Sequence, residues 1–385
     1  MTPALPSLEP AVPADVLAAI RAPLAALGAE PIDPPVIQPL ALLLDMAGET
    51  MRARLLVVQS EGDEDACLRP DFTIPATRAY IAGGEGERRY IYEGKAYRSP
   101  QPGSNLPREF LQIGVEAFGG RQDAAFDGEV AAACWRAAAA GGRDDLSLML
   151  GDVGLFSAFL GAMGVAEPLA ARLRRTFANP RALLVELGRA QAAERPSRPG
   201  DRVADLVAGL PEAEAAAVLE DLWSLAGIAP VGGRSAAEIV HRLAQRAERD
   251  RAPRLTQPEA ALIHAFLAIA DRPRAALDQV ARLAGQGGLN LDPALAEWSR
   301  RLAALAAAGV DEAAMTLSTG FGRAFGYYDG FLFEVRSTAL GDDHPVGGGG
   351  RYDSLPGRLG GSGAGGAVGC MVRPARAWSG GGLRA

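Results

Sequence analysis

The chain has 385 residues, 48% of them hydrophobic and 22% charged, which supports one large or two ordinary globular domains with a sizeable core. Its net charge of −7 excludes a nucleic-acid protein whose affinity comes from a basic surface. Cys67, Cys134 and Cys370 form no CxxC pair, and His241, His264 and His344 have no ligand spacing, so no disulfide framework or metal site is expected.

The first twenty residues, "MTPALPSLEPAVPADVLAAI", are Pro-rich and acidic, without the basic region of a signal peptide. No later apolar run reaches the roughly 18 residues that cross a bilayer. The expectation is a cytoplasmic protein with buried thiols, no metal, no cofactor and no membrane contact. Apolar spacing predicts a helix over residues 16–27, interrupted by Pro23; residues 30–49 then read as a Pro-rich extended piece and a helix ending near Gly48. From 53 to 119 the β-rich runs "ARLLVVQ", "ERRYIYEGKAYR" and "EFLQIGVEAFG" predict an antiparallel sheet with turn-rich connections such as "SPQPGSNLP". "FDGEVAAACWRAAAA" reads as a helix and "DLSLMLGDV" as a strand opening onto another. Residues 155–310 are rich in Ala, Leu, Arg and Glu at helical spacing, cut by "ERPSRPGDR" and "IAPVGGRS". Sheet texture returns in "AMTLSTGFGRAFGYYDGFLFEVRS" and in the Gly-rich stretch 346–372. The expected architecture is α+β: a sheet flanked by helices, with residues 1–154 and 311–385 as its halves and 155–310 as a helical insertion.

Within that frame, alternation along 108–119 puts Leu111, Ile113, Val115 and Ala117 on a core face. The other face carries Phe110, Gln112, Gly114, Glu116 and Phe118, a polar slot between aromatics. Pairing with 87–98 places Arg98 on that same face. Asp71 and Thr73, two apart in a segment read as extended, suit an ammonium group. Arg323 is a bidentate partner for a carboxylate, and Tyr327 and Tyr328, entering a strand, provide a wall with polar tips. A solvated strand face, a local Asp/Thr turn and a buried tyrosine pair are the structural alternatives. The Gly-rich tail has neither G-x-x-x-x-G-K-[ST] nor a dinucleotide fingerprint, so its glycines read as close backbone approach.

In their order along the chain these segments resemble the catalytic core of class II aminoacyl-tRNA synthetases, in the histidyl branch. "PPVIQPLALLLDMAGE" resembles the first class motif, with Pro35 at the interface position, "LRPDFT" an amino-acid-binding loop, and "AYRSPQPGSNLPREFLQIGVE" the second motif. "RAFGYYDGFLFE" and "GGGRYDSL" are similar to signatures of the histidine branch. The pattern departs where ATP would be held: Pro100 stands for an acidic residue, Leu106 for an arginine, and Val372 for the third-motif arginine, Arg373 being one register off on the opposite face. No anticodon-binding domain is expected after the third motif.

This pattern of retention and loss resembles the regulatory subunits of short-form ATP phosphoribosyltransferase. The resemblance implies a non-catalytic subunit without catalytic residues, partnered by a separate catalytic subunit and regulated by L-histidine as effector. It also implies a homodimer within a hetero-oligomer, and no tRNA. Asp71 and Thr73 would hold the α-ammonium of histidine, and Arg323 with Arg98 its carboxylate. Gln112 and Glu116 would take the imidazole N–H groups, Tyr328 beside Tyr327 would wall the ring, and Gly114 would leave it room. The alternative is a truncated enzyme forming an aminoacyl-adenylate for a non-tRNA acceptor.

Overall fold

The computed structural model describes residues 8–47, 49–59, 65–100, 104, 106–121, 123–191, 210, 212–225, 240, 254–323, 325–363 and 365–383. The first half contains α1 (Ala14–Ala25), β1 (Glu30–Pro31), β2 (Ile37–Pro39), α2 (Leu40–Ala47), β3 (Val57–Val58), β4 (Ala66–Leu68), α3 (Thr73–Ala82), β5 (Arg88–Tyr97), β6 (Glu109–Phe118), α4 (Ala124–Ala139) and β7 (Leu146–Asp152). A helical stretch follows: α5 (Val153–Ala162), α6 (Glu167–Thr176), α7 (Pro180–Gln191), α8 (Glu212–Leu225) and α9 (Gln257–Leu267), then β8 (Ala270–Asp271), α10 (Pro273–Gly287) and α11 (Asp292–Ala307). The chain closes with β9 (Met315–Ser318), β10 (Phe331–Ser337), β11 (Gly347–Arg351), α12 (Ser354–Arg358), β12 (Ala367–Val372) and α13 (Pro374–Ala377). Gly48 and the breaks at 194–202 and 228–235 lie outside the described residues.

Nine strands form one sheet in the order β1-β5-β6-β12-β11-β10-β7-β9-β8, and β2-β4-β3 form a small second sheet. The main sheet is antiparallel except for the β1/β5 and β7/β9 pairs. The predicted β5/β6 hairpin is present, with Tyr92 opposite Gly114 and Gly94 opposite Gln112. Because β12 comes in on the other side of β6, pairing Gly369 with Glu116, residues some 250 positions apart become neighbours.

One sheet face is covered by α4, whose N-terminus is capped by the Asp123 carboxylate accepting from the Phe126 N–H at 2.8 Å. Its alanines, with Ile113, Ala117, Leu148 and Phe333 of the sheet, share a buried cluster with Leu169, Leu187, Ile263 and Trp298 of the helical stretch. Gly128 lets α11 approach: a Cβ there would lie 2.8 Å from the Arg301 carbonyl oxygen. The opposite face is lined by Phe72, Tyr92, Ala96 and Phe110 and opens into the cavity described below. Both faces of β6 are therefore buried, whereas Leu111, expected in the core, is only half-buried.

Three local expectations change. The run 53–59 contributes only the two-residue β3, preceded by a 3-10 turn over Glu49–Arg54. Asp71 and Thr73 do not lie in an extended segment; α3 begins at Thr73, with Pro75 in its first turn, where a missing N–H breaks no helical bond. Tyr327 and Tyr328 lie in the turn before β10, which starts at Phe331. No described helix is long and apolar enough to cross a membrane.

Candidate functional site

Residues from the start of α3, from β5, β6, β11 and β12 and from the loop before β10 converge on one cavity. It is lined by all eight residues singled out in the sequence: Asp71, Thr73, Arg98, Gln112, Glu116, Arg323, Tyr327 and Tyr328. Asp71 and Thr73 come from the start of α3, Arg98 from the end of β5, Gln112 and Glu116 from β6, and the last three from the loop before β10.

Glu116 is the most enclosed carboxyl of the cavity. Its Oε1 accepts from Thr73 Oγ1 at 2.9 Å and from the Tyr92 hydroxyl at 3.3 Å, and its Oε2 accepts from the Tyr352 hydroxyl. Burial pushes its carboxyl up to about 8, against the pull of those three hydroxyls. Asp71 is raised too, by burial, while Arg98 and the Tyr327 hydroxyl (3.0 Å from Oδ2) oppose the rise. Burial pushes Arg98 down to about 10, with Asp71 resisting. The Arg98 side chain is pinned by Nε donating to the Pro70 carbonyl at 2.8 Å. Arg323 is fixed by a 2.8 Å bond from Nη1 to the Phe333 carbonyl and by Glu334 at 3.6 Å.

Against this order, several buried groups have no partner: both polar atoms of the Gln112 amide, Oδ1 of Asp71 and Nε of Arg323. Buried polar atoms in a protein are nearly always hydrogen-bonded, and one left over costs about 1–3 kcal/mol. Here the cavity wall offers an amide, a carboxylate oxygen and a guanidinium N–H at once. Such a wall can pair a cation at the carboxylate, an anion at the guanidinium, and a donor and an acceptor at the amide.

Gly114 does not open onto the cavity. A Cβ there would meet the Tyr92 hydroxyl at 2.3 Å and the Cys370 carbonyl oxygen at 2.5 Å, so its space is taken by the neighbouring strand's tyrosine. The glycines that line the cavity are Gly348 and Gly369. A Cβ on Gly369 would fall 1.7 Å from Glu116 Oε2, and one on Gly348 1.8 Å from Arg323 Nη1, so both make room for charged side chains. Tyr352 lies in the "GGGRYDSL" motif, but no local pattern assigns it to the site; only the order β6-β12-β11 brings it to Glu116. Val372 faces the core, fully buried. Arg373, on the opposite face as expected, stacks 3.9 Å from the Phe110 ring centre and is ion-paired to Glu9.

Fold and cavity together define a class II aminoacyl-tRNA synthetase-like domain with a polar site on one face of its sheet. A sequence profile of the family described as histidyl-tRNA synthetase matches residues 11–216 and 215–375. The ATP phosphoribosyltransferase regulatory subunit of Brucella anthropi is 35% identical over 355 residues, covering 90% of this chain and 92% of its own. That of Brucella ovis is 34% identical over 350 residues, 89% of this chain and 90% of its own. Among solved structures, an ATP phosphoribosyltransferase regulatory subunit/histidyl-tRNA synthetase from Bacillus halodurans superposes with a TM-score of 0.62 at 20% identity, over 95% of this chain and 78% of that one. Histidyl-tRNA synthetase from a Nostoc species gives 0.60 at 16% identity, over 98% and 74%. The chain belongs to the ATP phosphoribosyltransferase regulatory subunits, a histidyl-tRNA synthetase-like family.

Proposed function

We propose that this chain is the histidine-sensing subunit of a two-component ATP phosphoribosyltransferase. It assembles with a separate catalytic subunit, is required for the first step of L-histidine biosynthesis, and carries feedback inhibition by L-histidine without performing chemistry itself. The observation that carries this reading is the fully buried Gln112 amide, unpartnered at both polar atoms, in a wall that also holds Asp71, Glu116 and Arg323. In the bound state Asp71 and Thr73 take the α-ammonium, Arg323 and Arg98 the carboxylate, Gln112 and Glu116 the imidazole, and the Tyr327–Tyr328 pair, 4.7 Å between ring centres, the ring face. Regulation requires only that histidine favour one quaternary state; a coupling of about 1–3 kcal/mol shifts affinity roughly 5–150-fold. Exposed Val36 and Ile37, at the start of β2 beside Pro35, support a homodimer within the hetero-oligomer.

The alternative, adenylate formation for a non-tRNA acceptor, needs Arg373 free to meet a triphosphate. Its ion pair with Glu9 and its stacking on Phe110 favour the regulatory reading. Calorimetry with L-histidine decides: saturable binding is expected, and histidinol, lacking the carboxylate, should bind about 10–100-fold more weakly for the loss of a charge-assisted contact. No heat at millimolar histidine, alone or with the catalytic subunit, rejects sensing. Histidine-dependent exchange of pyrophosphate into ATP establishes the rival.

A further inference from the structure

Arg98 is one end of a stacked column that runs from the cavity to the amino-terminal segment. Its guanidinium lies 4.9 Å from the Phe325 ring centre and 5.2 Å from that of Phe110. Phe110 also carries Arg373, 3.9 Å from its centre, and Arg373 pairs with Glu9. The other oxygen of Glu9 accepts the Leu111 N–H at 3.1 Å. That N–H lies beyond the last β6/β12 partner pair, Ile113 with Val372, so Glu9 takes up a strand-edge donor as well as a charge.

Four arginines gather here. Arg54 and Arg376 are tied in through the backbone, the Arg54 carbonyl accepting the Ser99 N–H at 2.8 Å and the Arg376 N–H donating to the Arg373 carbonyl at 3.0 Å. Their neighbours' positive charge adds to burial in pushing Arg98 and Arg376 down. Asp71 acts on Arg98 from the cavity side. Among the described residues, Glu9 is the only carboxylate ion-paired with any of the four. The Nε atoms of Arg54 and Arg373 are buried without a hydrogen-bond partner. Clustered guanidinium groups with unused N–H donors are what a phosphate or pyrophosphate group seeks.

We propose that Glu9 is an internal counter-anion that keeps phosphorylated ligands off this arginine cluster. A carboxylate on the same chain competes at an effective concentration of order millimolar, and an incoming anion must first displace it. Pro10 extends the docked segment, its Cγ 3.3 Å from where a Cβ on Gly381 would stand. Arg98 is shared with the cavity, but the test turns on Arg373, which does not line it.

The test is calorimetry on the full chain with inorganic pyrophosphate as probe and L-histidine as a separate titrant. Glu9→Gln keeps an oxygen for the Leu111 N–H but removes the charge. It should bind pyrophosphate about tenfold or more tightly than the wild type, and Glu9→Gln/Arg373→Gln should lose that gain. A folded Glu9→Gln, shown by a cooperative thermal transition, that binds pyrophosphate no better than wild type overturns the proposal; so does a gain that survives in the double variant. Should Glu9→Gln fail to fold, Glu9→Asp, which withdraws the charge by one methylene, carries the same test with a smaller gain, and no gain there overturns it. The histidine titration reports on the sensor reading alone, so the two ideas fail separately.

Discussion

Two clusters of buried charge lie on opposite faces of the sheet, and they are built differently. On the α4 side, Asp127 accepts from Arg301 Nε at 2.9 Å and from Arg351 Nε and Nη2 at 2.8 and 2.6 Å. Arg301 reaches Asp152 at 3.3 Å, and Arg351 reaches Asp353 at 3.0 Å. None of these five side chains has a buried atom without a partner. On the other face, Gln112, Asp71 and Arg323 retain unpaired atoms. A cluster that ties elements together closes upon itself, whereas one that meets a ligand keeps hydrogen-bonding capacity unused and pays for it in stability. The ionic network joins α4, α11, β7 and β11; the cavity joins the same sheet to whatever enters it.

The sharpest way to break this comparison is to open the closed cluster. Asp127→Ala leaves Arg301 and Arg351 buried beside a missing charge, and should cost about 3–5 kcal/mol in urea denaturation, with L-histidine affinity of the folded fraction unchanged. A loss below about 1 kcal/mol would mean that the network contributes no more than a surface pair.

Glu116 tests the open cluster by pH. Its carboxyl is raised from the ordinary 4.5 to about 8 in the folded chain, so the folded state holds the proton more tightly than the unfolded one. That contribution is fully present below about pH 4.5 and is lost as pH rises through about 8, at up to ~1.4 kcal/mol per pH unit. Glu116→Gln removes the slope, so the stability of the ligand-free wild type should fall relative to the variant across that window. Parallel curves would show that Glu116 is already ionised, and that its three hydroxyl donors outweigh burial.

What the sequence revealed follows the same division between local and distant causes. The β5/β6 hairpin, α4 and β7 were legible because alternation, helical spacing and turn residues are local. The eight cavity residues were legible because the order of their motifs resembles a known core, although Asp71 and Thr73 read as an extended segment rather than as a helix start. The run 53–59 misled because β-branched content is a weak instruction that tertiary context overrides. Tyr352, Gly348 and Gly369 were not assigned to the site because their roles depend on β12 and β11 lying beside β6, a pairing that no local pattern encodes. Glu9 was invisible for the same reason, its partners lying 102 and 364 residues away.

The smallest expected effect discriminates best, because its sign differs. Gln112 is fully buried, with neither amide atom partnered. Methionine has nearly its shape and no polar end to desolvate. Gln112→Met should therefore stabilise the ligand-free chain by about 1 kcal/mol while weakening L-histidine binding by roughly fivefold or more. No substitution in the Asp127 cluster can raise stability that way unless it replaces every charge together. Thermal denaturation with and without histidine measures both quantities on one sample. If Gln112→Met is instead less stable than wild type, the amide is satisfied within the protein itself. The two faces of the sheet would then be alike, and the cavity would lose the feature that marks it as a binding site.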